Sequence, residues 1–254
     1  MFKSLFKPGH GLVSLLPNLA SQCAVCHTWP SSQVCVPCIA RFSTGQLRCS
    51  ACAIALSDLS MGTRVQHGLC AGCLRERPSV DTTLVAVDYA YPWSTLITRY
   101  KFGDKPGWAP FFAALLLETR GVGQVFSGLE KRDLIIPMPL SAERLHQRGF
   151  NQAWELAVAL ARKSRCNAQL DARLLLRVKH TQPQTQLRRE ARLVNVRGAF
   201  QLDPLRADLL TGRRVILVDD VMTSGASLFT AAGILRSAGA AHITALAIAR
   251  TAAP

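Results

Sequence analysis

Eight cysteines form four Cys-x-x-Cys pairs within residues 23 to 73: Cys23/Cys26, Cys35/Cys38, Cys49/Cys52 and Cys70/Cys73. Two thiolates separated by two residues can grip one metal ion from a tight knuckle, and two knuckles complete a tetrahedral site. Eight thiolates therefore predict two structural zinc sites, closed to water and without catalytic function. Sequential pairing, first knuckle with second and third with fourth, is preferred over an interleaved arrangement. A thioredoxin-type redox motif would be one such pair beside a βαβ unit, and disulfides would suit a secreted chain. Neither pattern fits four recurring knuckles. The segment has few large apolar residues, so its folding energy must come from metal, roughly 10–16 kcal/mol per site in small zinc modules. His27 and His67 lie among the knuckles but are not needed, because the thiolate count is complete. Cys166 stands alone in a basic polar stretch and reads as an ordinary thiol.

The remainder of the 254 residues is long enough for one further domain. Past Pro78 the composition changes. Short apolar runs recur: Thr83-Leu84-Val85-Ala86-Val87, Leu134-Ile135-Ile136, Leu174-Leu175-Leu176, Val215-Ile216-Leu217-Val218 and Ile243-Thr244-Ala245-Leu246-Ala247-Ile248. Such runs suit strands buried on both faces of a parallel sheet. Helical stretches lie between them at 109–117, 152–162 and 227–238, the last ending at Gly239, a suitable left-handed cap. The alternation predicts an α/β domain with a mostly parallel sheet. The expected organisation is an N-terminal extension (1–19), a double zinc ribbon (20–78) and the α/β domain (79–254).

No segment is expected to span a membrane. The longest clean apolar run, 108–117, has ten residues, where a helical span needs about 20. The ending Leu19-Ala20-Ser21-Gln22-Cys23 approaches a lipoprotein cleavage box, but Gln22 is one residue too many. Pro8, His10, Gly11 and Pro17 also interrupt the apolar helix that a signal needs. The chain is expected to be cytoplasmic.

The most informative stretch of the α/β domain is Val215-Ile216-Leu217-Val218-Asp219-Asp220-Val221-Met222-Thr223-Ser224-Gly225-Ala226-Ser227. Four buried-type residues end in two acids, followed by a loop of small residues and a helix. Ligands of open α/β sheets lie beyond the carboxyl ends of the strands. Thr223, Ser224 and Ser227 supply hydroxyls there, while Gly225 and Ala226 let backbone N–H groups approach an anion at the helix N-terminus. Two carboxylates beside a phosphate cradle suit a ribose 5-phosphate, with the acids at its hydroxyls. The loop is neither a Walker loop nor a dinucleotide fingerprint.

This stretch resembles the 5-phosphoribosyl-1-pyrophosphate (PRPP) motif of type I phosphoribosyltransferases. That resemblance implies Asp219 and Asp220 at the ribose and Thr223, Ser224, Gly225, Ala226 and Ser227 around the 5-phosphate. Pro137-Met138-Pro139-Leu140, Arg144 and Arg148-Gly149-Phe150-Asn151-Gln152 resemble a pattern of the competence protein F (ComF) family. So do Tyr100-Lys101-Phe102 and Thr181-Gln182-Pro183-Gln184 through Leu187, Arg192, Asn195 and Gly198-Ala199-Phe200. The family joins a zinc ribbon to a phosphoribosyltransferase-like domain and is linked to natural transformation. Some relatives are linked to use of DNA or sugar acids as nutrients. The resemblance thus implies PRPP with Mg2+ as ligand, incoming single-stranded DNA as partner, and a DNA-uptake helicase or channel protein as the kind of protein it would meet.

Charge adds to this reading. The chain carries a net charge of +14, and residues 162–214 hold thirteen Lys and Arg against four acids. The rest of the α/β domain balances ten against ten. Guanidinium forks suit phosphate oxygens, so Arg144 and Arg148, with Lys101 as a point charge, are candidates for pyrophosphate. His146, between the two arginines, reads as a surface residue. Arg188, Arg189 and Arg192 are candidates for closure over pyrophosphate or for a nucleic-acid backbone. Phe200 is the single aromatic in that segment, which weakens a base-stacking platform. Three functions stay open: a PRPP-binding handler of incoming DNA, a true transferase acting on a nitrogen nucleophile, and a non-catalytic PRPP sensor with a ribbon interaction module. No base-recognition element and no general base are legible, so no acceptor is named.

Overall fold

The computed structural model describes residues 21–43, 45–56, 68–103, 106–178 and 198–252. It contains two compact units, divided between Arg41 and Phe42.

In the smaller unit, Ser21 and Ser31 form an isolated antiparallel bridge that closes a loop around the first knuckle. His27 takes a left-handed φ of 62° inside that turn, and its amide donates to the Cys23 carbonyl at 3.0 Å. The second knuckle opens a short helix, α1 (Val36–Phe42). Among the described residues of that unit, Cys23, Val34 and Cys38 are the buried apolar ones.

The larger unit begins with the third and fourth knuckles; the fourth carries α2 (Ala71–Arg75). The chain then runs through β1 (Thr82–Asp88), α3 (Trp93–Phe102), α4 (Ala109–Leu117), α5 (Val122–Ser127) and β2 (Leu134–Pro137). Next come α6 (Ala142–Arg148), α7 (Gln152–Ser164), β3 (Gln169–Leu170), β4 (Leu175–Arg177) and β5 (Phe200–Leu202). β6 (Arg214–Met222), α8 (Ala226–Ser237) and β7 (His242–Arg250) complete it. Five strands form one sheet in the order β1-β7-β6-β2-β3, and every pairing is parallel. The expected α/β class with a parallel sheet is what the chain adopts.

One expectation needs correction. The run Leu174-Leu175-Leu176 reads as a strand of the main sheet, but β4 pairs antiparallel with β5 in a separate two-stranded ribbon. Leu174 and Leu175 are buried, while Leu176 is 40% exposed. The run therefore covers the edge of a core and does not pass through one. Periodicity cannot separate those cases in a run of three.

Residues alternate between the two sheet faces with period two. Leu134, Ile136, Val215, Leu217, Ile243, Ala245 and Ala247 join Leu228, Ala231, Ala232 and Leu235 of α8 in one continuous core. Cys49, Cys52, Cys70 and Cys73 belong to that same core. Helices α4 and α7 pack together, α7 lies on β2 and β6, and α4 touches β1. Among the described residues, no helix is long and apolar enough to cross a membrane.

The strand order sets where a ligand can enter. After β2 the chain moves outward to β3, whereas after β6 it moves the other way to β7. Connections leaving adjacent strands in opposite directions open a crevice between their carboxyl ends, where open α/β sheets bind ligands.

Candidate functional site

That crevice lies between Pro137 and Val218, which are register partners. On one side the amide of Met138 donates to the Val218 carbonyl at 2.8 Å. The Asn151 side chain caps α7, accepting from the amides of Ala153 and Trp154, and donates to the Met138 carbonyl. The Pro137–Met138 turn is thus held against the start of α7. On the other side β6 emerges with Asp219 and Asp220. Val215 to Val218 are all essentially inaccessible to solvent, which anchors the acids that follow.

The two carboxylates differ. Asp220 is 7% exposed and pairs with Lys101, its Oδ1 lying 2.9 Å from Nζ. Asp219 accepts a hydrogen bond from the Asp220 amide at 2.8 Å. Burial, reinforced by the charge of Asp220, pushes the Asp219 carboxyl up to about 7, against the opposing pull of Lys101 and Arg177. Arg148 lies within electrostatic reach of both acids, and burial pulls its guanidinium below the usual range. It also sits over the Phe102 ring, 4.8 Å from the centroid. Arg144 lies near enough to Arg148 and Arg177 to repel both. Lys101 and Arg148 thus come together around the acids, with Arg144 beside Arg148. His146 is exposed on α6. Arg188, Arg189 and Arg192 lie outside the described residues, as does His67.

Residues 223–227 turn from β6 into α8. Gly225 occupies the left-handed region at φ 82°, and the Ser224 hydroxyl accepts from the Ala226 amide at 3.3 Å. A Cβ on Gly225 would lie 2.5 Å from Met222 Cε and 2.6 Å from Phe229 Cε2. Gly225→Ala should therefore destabilise the protein by about 2 kcal/mol, because left-handed backbone alone costs roughly 1–2 kcal/mol and the Phe229 ring must also move. Denaturant unfolding checks this, and a change within about 0.5 kcal/mol, the scale of a neutral surface substitution, would show that the turn tolerates a side chain.

Three residues at the site have no role legible in the sequence, although Gln152 stands in the pattern that begins at Arg148. Gln152, 1% exposed, accepts from Arg148 Nη1 at 2.8 Å, donates to the Lys101 carbonyl and accepts from the Tyr100 hydroxyl through its own carbonyl. It links the end of α3 to the last residue of α6 and so sets two cations at once. Arg177, at the end of β4, sits over the Phe200 ring at 5.4 Å and within reach of Asp219. It belongs to the basic segment, but nothing in its neighbours distinguishes it. Arg250 ends the long apolar run of β7 and is 6% exposed. A cation closing a buried strand is a legible signal, though not of its role.

The knuckles gather as two groups, Cys23/Cys26/Cys35/Cys38 and Cys49/Cys52/Cys70/Cys73. This is the sequential pairing. The sulfurs of each group lie within 4.8 Å of one another. Cys26 and Cys35 Sγ are 3.6 Å apart, and Cys52 and Cys70 Sγ are 3.7 Å apart. A tetrahedron with metal–sulfur bonds of about 2.3 Å has edges of about 3.8 Å, so both groups have the spacing of a four-thiolate site. Backbone amides also point at sulfur: Cys35 donates to Cys23 Sγ and Cys70 to Cys49 Sγ, both at 3.3 Å. Burial opposes the charge on Cys23, yet the amides around it hold its thiol down at about 6.

A parallel sheet with two carboxylates at its switch point, a glycine turn into a helix N-terminus and cations nearby defines an open, parallel-sheet α/β domain. Here it is joined to two four-cysteine groups. No family model matches the chain. It is 35% identical over 190 residues to Competence protein F of Haemophilus influenzae, covering 73% of this chain and 79% of that protein. It is 31% identical over 219 residues to DNA utilization protein YhgH of Escherichia coli O157:H7, covering 86% and 90%. Competence protein ComFC of Bacillus subtilis is 27% identical over 258 residues, covering 95% and 96%. The chain belongs to the ComF family.

Proposed function

We propose that this protein binds PRPP with Mg2+ at the carboxyl end of β6 and takes part in DNA uptake or use by handling incoming single-stranded DNA. The observation that carries the ligand reading is the mixture of charge at one strand end. Asp219 and Asp220 stand beside Lys101, Arg148 and Arg177, with the 223–227 turn alongside. A simple anion site would exclude the acids, and a simple sugar site has no use for the nearby cations. A ribose carrying phosphate groups uses both. The acids accept from its hydroxyls, the turn and the start of α8 take the 5-phosphate, and the guanidinium groups face the pyrophosphate. Mg2+, arriving with the ligand, would neutralise part of the diphosphate charge. The names of the relatives, which refer to competence and DNA utilization, support the DNA role. The four-thiolate groups suit zinc, as closed structural sites. A cytoplasmic location follows from the proposed role.

Calorimetric titration of the zinc-loaded protein with Mg-PRPP and single-stranded DNA, separately and together, tests this reading. Asp219→Ala with Asp220→Ala should weaken Mg-PRPP at least about tenfold, since each charge-assisted hydrogen bond contributes about 1.5–3 kcal/mol. Equal affinity in both proteins would place the ligand elsewhere. Replacing Arg188, Arg189 and Arg192 together by Ala should flatten the slope of log DNA affinity against log salt by about 2, at roughly 0.7 per phosphate contact. An unchanged slope would reject that DNA surface. Steady pyrophosphate release in the presence of a free base, with no affinity for DNA, would instead identify a transferase.

A further inference from the structure

The second four-cysteine group and the 223–227 turn are bonded to one side chain. The third knuckle offers three consecutive carbonyls to β1 and β7, and a fourth to Arg48 at its own start. Ser50 O accepts from the Thr83 amide at 2.7 Å, and Ala51 O from the Thr83 hydroxyl at 2.6 Å. Cys52 O accepts from Arg250 Nε at 2.9 Å, and Ala53 O from Arg48 Nη1 at 3.2 Å. Arg48 in turn pairs with Asp88 at the end of β1, 2.7 Å away. The knuckle is therefore fixed to β1 and β7 through its backbone, and its geometry in turn depends on the sulfurs of Cys49 and Cys52.

Arg250 continues the path. Its Nη1 donates to the carbonyls of Met222, Thr223 and Thr251 and to the Thr251 hydroxyl. The Thr251 amide donates to Met222 O at 3.1 Å, and its hydroxyl to Thr223 O at 3.4 Å. Met222 and Thr223 lead directly into the turn at Gly225. One buried guanidinium therefore bonds to a metal-knuckle carbonyl through Nε and to the entry of the loop through Nη1. If the knuckle opens, Cys52 O is withdrawn and a buried charged donor loses its acceptor. The guanidinium must then reorient, and the loop carbonyls lose the same group.

We propose that metal at Cys49/Cys52/Cys70/Cys73 sets the conformation of the 223–227 loop, with Arg250 as the positioning residue between them. The coupling to ligand rests on the reading of this loop as the PRPP phosphate cradle. Binding free energies are coupled reciprocally, so PRPP must then retain the metal as the metal favours PRPP.

The test uses the full chain with Cys26→Ser and Cys35→Ser, so that zinc is held by the second group. One arm needs no ligand and follows hydrogen exchange at the amides of Ser224 to Ser227. Zinc withdrawal by a chelator should speed that exchange about tenfold, a coupling of ordinary size, with the β2 amides, which exchange through global unfolding, still slower than the loop. Arg250→Gln should give the same acceleration with zinc still bound. Arg250→Lys, which keeps the charge but cannot bond in both directions, should behave as Gln does and serves if Gln fails to fold. Loop exchange indifferent to both zinc and Arg250 would overturn the coupling. The other arm measures zinc release to the chelator at equilibrium, where Mg-PRPP should raise zinc affinity by about five- to 150-fold in the Arg250 protein and leave it unchanged in the Gln variant. Release unaffected by Mg-PRPP in a protein that binds it would also overturn the coupling. Absence of Mg-PRPP binding would overturn the PRPP reading instead, and the exchange arm would still decide the link.

Discussion

Serine at Cys49, Cys52, Cys70 or Cys73 should lower the melting temperature of the α/β unit by about 10 °C or more. Serine at Cys23, Cys26, Cys35 or Cys38 should move that transition by no more than about 2 °C. Losing a structural metal belongs to the short list of changes that cost about 4 kcal/mol or more, and a domain of this size loses about 2–4 °C per kcal/mol. The contrast follows from where the sulfurs sit. The second group is buried in the same core as Val85, Leu134, Val215 and Leu235. The first group lies in the other unit, where the buried apolar residues among those described are Cys23, Val34 and Cys38. Either change should reduce bound zinc from two ions per chain to one, whereas Cys166→Ser should keep both. Metal analysis alongside calorimetric melting checks both halves. Zinc absent from the native protein would remove the ribbon assignment, and equal melting shifts for both groups would remove the distinction between them.

The second large effect concerns pH. Burial and the charge of Asp220 push the Asp219 carboxyl up to about 7, above an unfolded value near 3.9. A carboxyl raised in the folded state favours the protonated form. Its stabilising contribution is therefore complete below about pH 4 and is lost as pH rises through 7. The full shift would correspond to about 4 kcal/mol. Partial exposure and screening by neighbouring cations reduce this to about 2 kcal/mol. Wild type should thus lose stability relative to Asp219→Asn as pH rises from about 4 to 7 and run parallel to it above that. The part between about pH 6 and 7 is readable with zinc thiolates intact. Denaturant midpoints across that window provide the measurement. Profiles parallel within that window as well would mean that Asp219 is ionised throughout.

Much of this architecture was legible in residue order. Four strands of the main sheet announce themselves as apolar runs, because burial on both faces leaves no polar position to interrupt them. The acids and the glycine turn after β6 were legible for a related reason: a buried strand can end in charge only where solvent or a ligand meets it. The knuckles carry their own spacing rule, which marks the four pairs but not which of them share a metal; the fold brings the sequential groups together. β3 and β5 were not legible, since two or three residues leave no period to detect. The roles of Gln152, which stands in the pattern beginning at Arg148, and of Arg250, which stands in none, were not legible for a different reason. Each bonds to segments far away in the chain, and no local pattern records which distant group a side chain will meet. Arg177 depends on the β4–β5 ribbon folding over the crevice, a placement decided by packing.

The Lys101–Asp220 pair makes the crevice self-satisfied, and this imposes a two-key condition on entry. A bare phosphate that drew Lys101 away would strand a carboxylate that is 7% exposed, and an unpaired buried charge is heavily penalised. A neutral sugar that engaged Asp220 would release the ammonium without giving it a new partner. Only a molecule that brings hydroxyls for the acid and negative oxygens for the cation, on one rigid frame, satisfies both halves of the pair together. If the crevice is the proposed ligand site, anions and free sugars each hold one key, and this single pair would discriminate against them before any other group takes part.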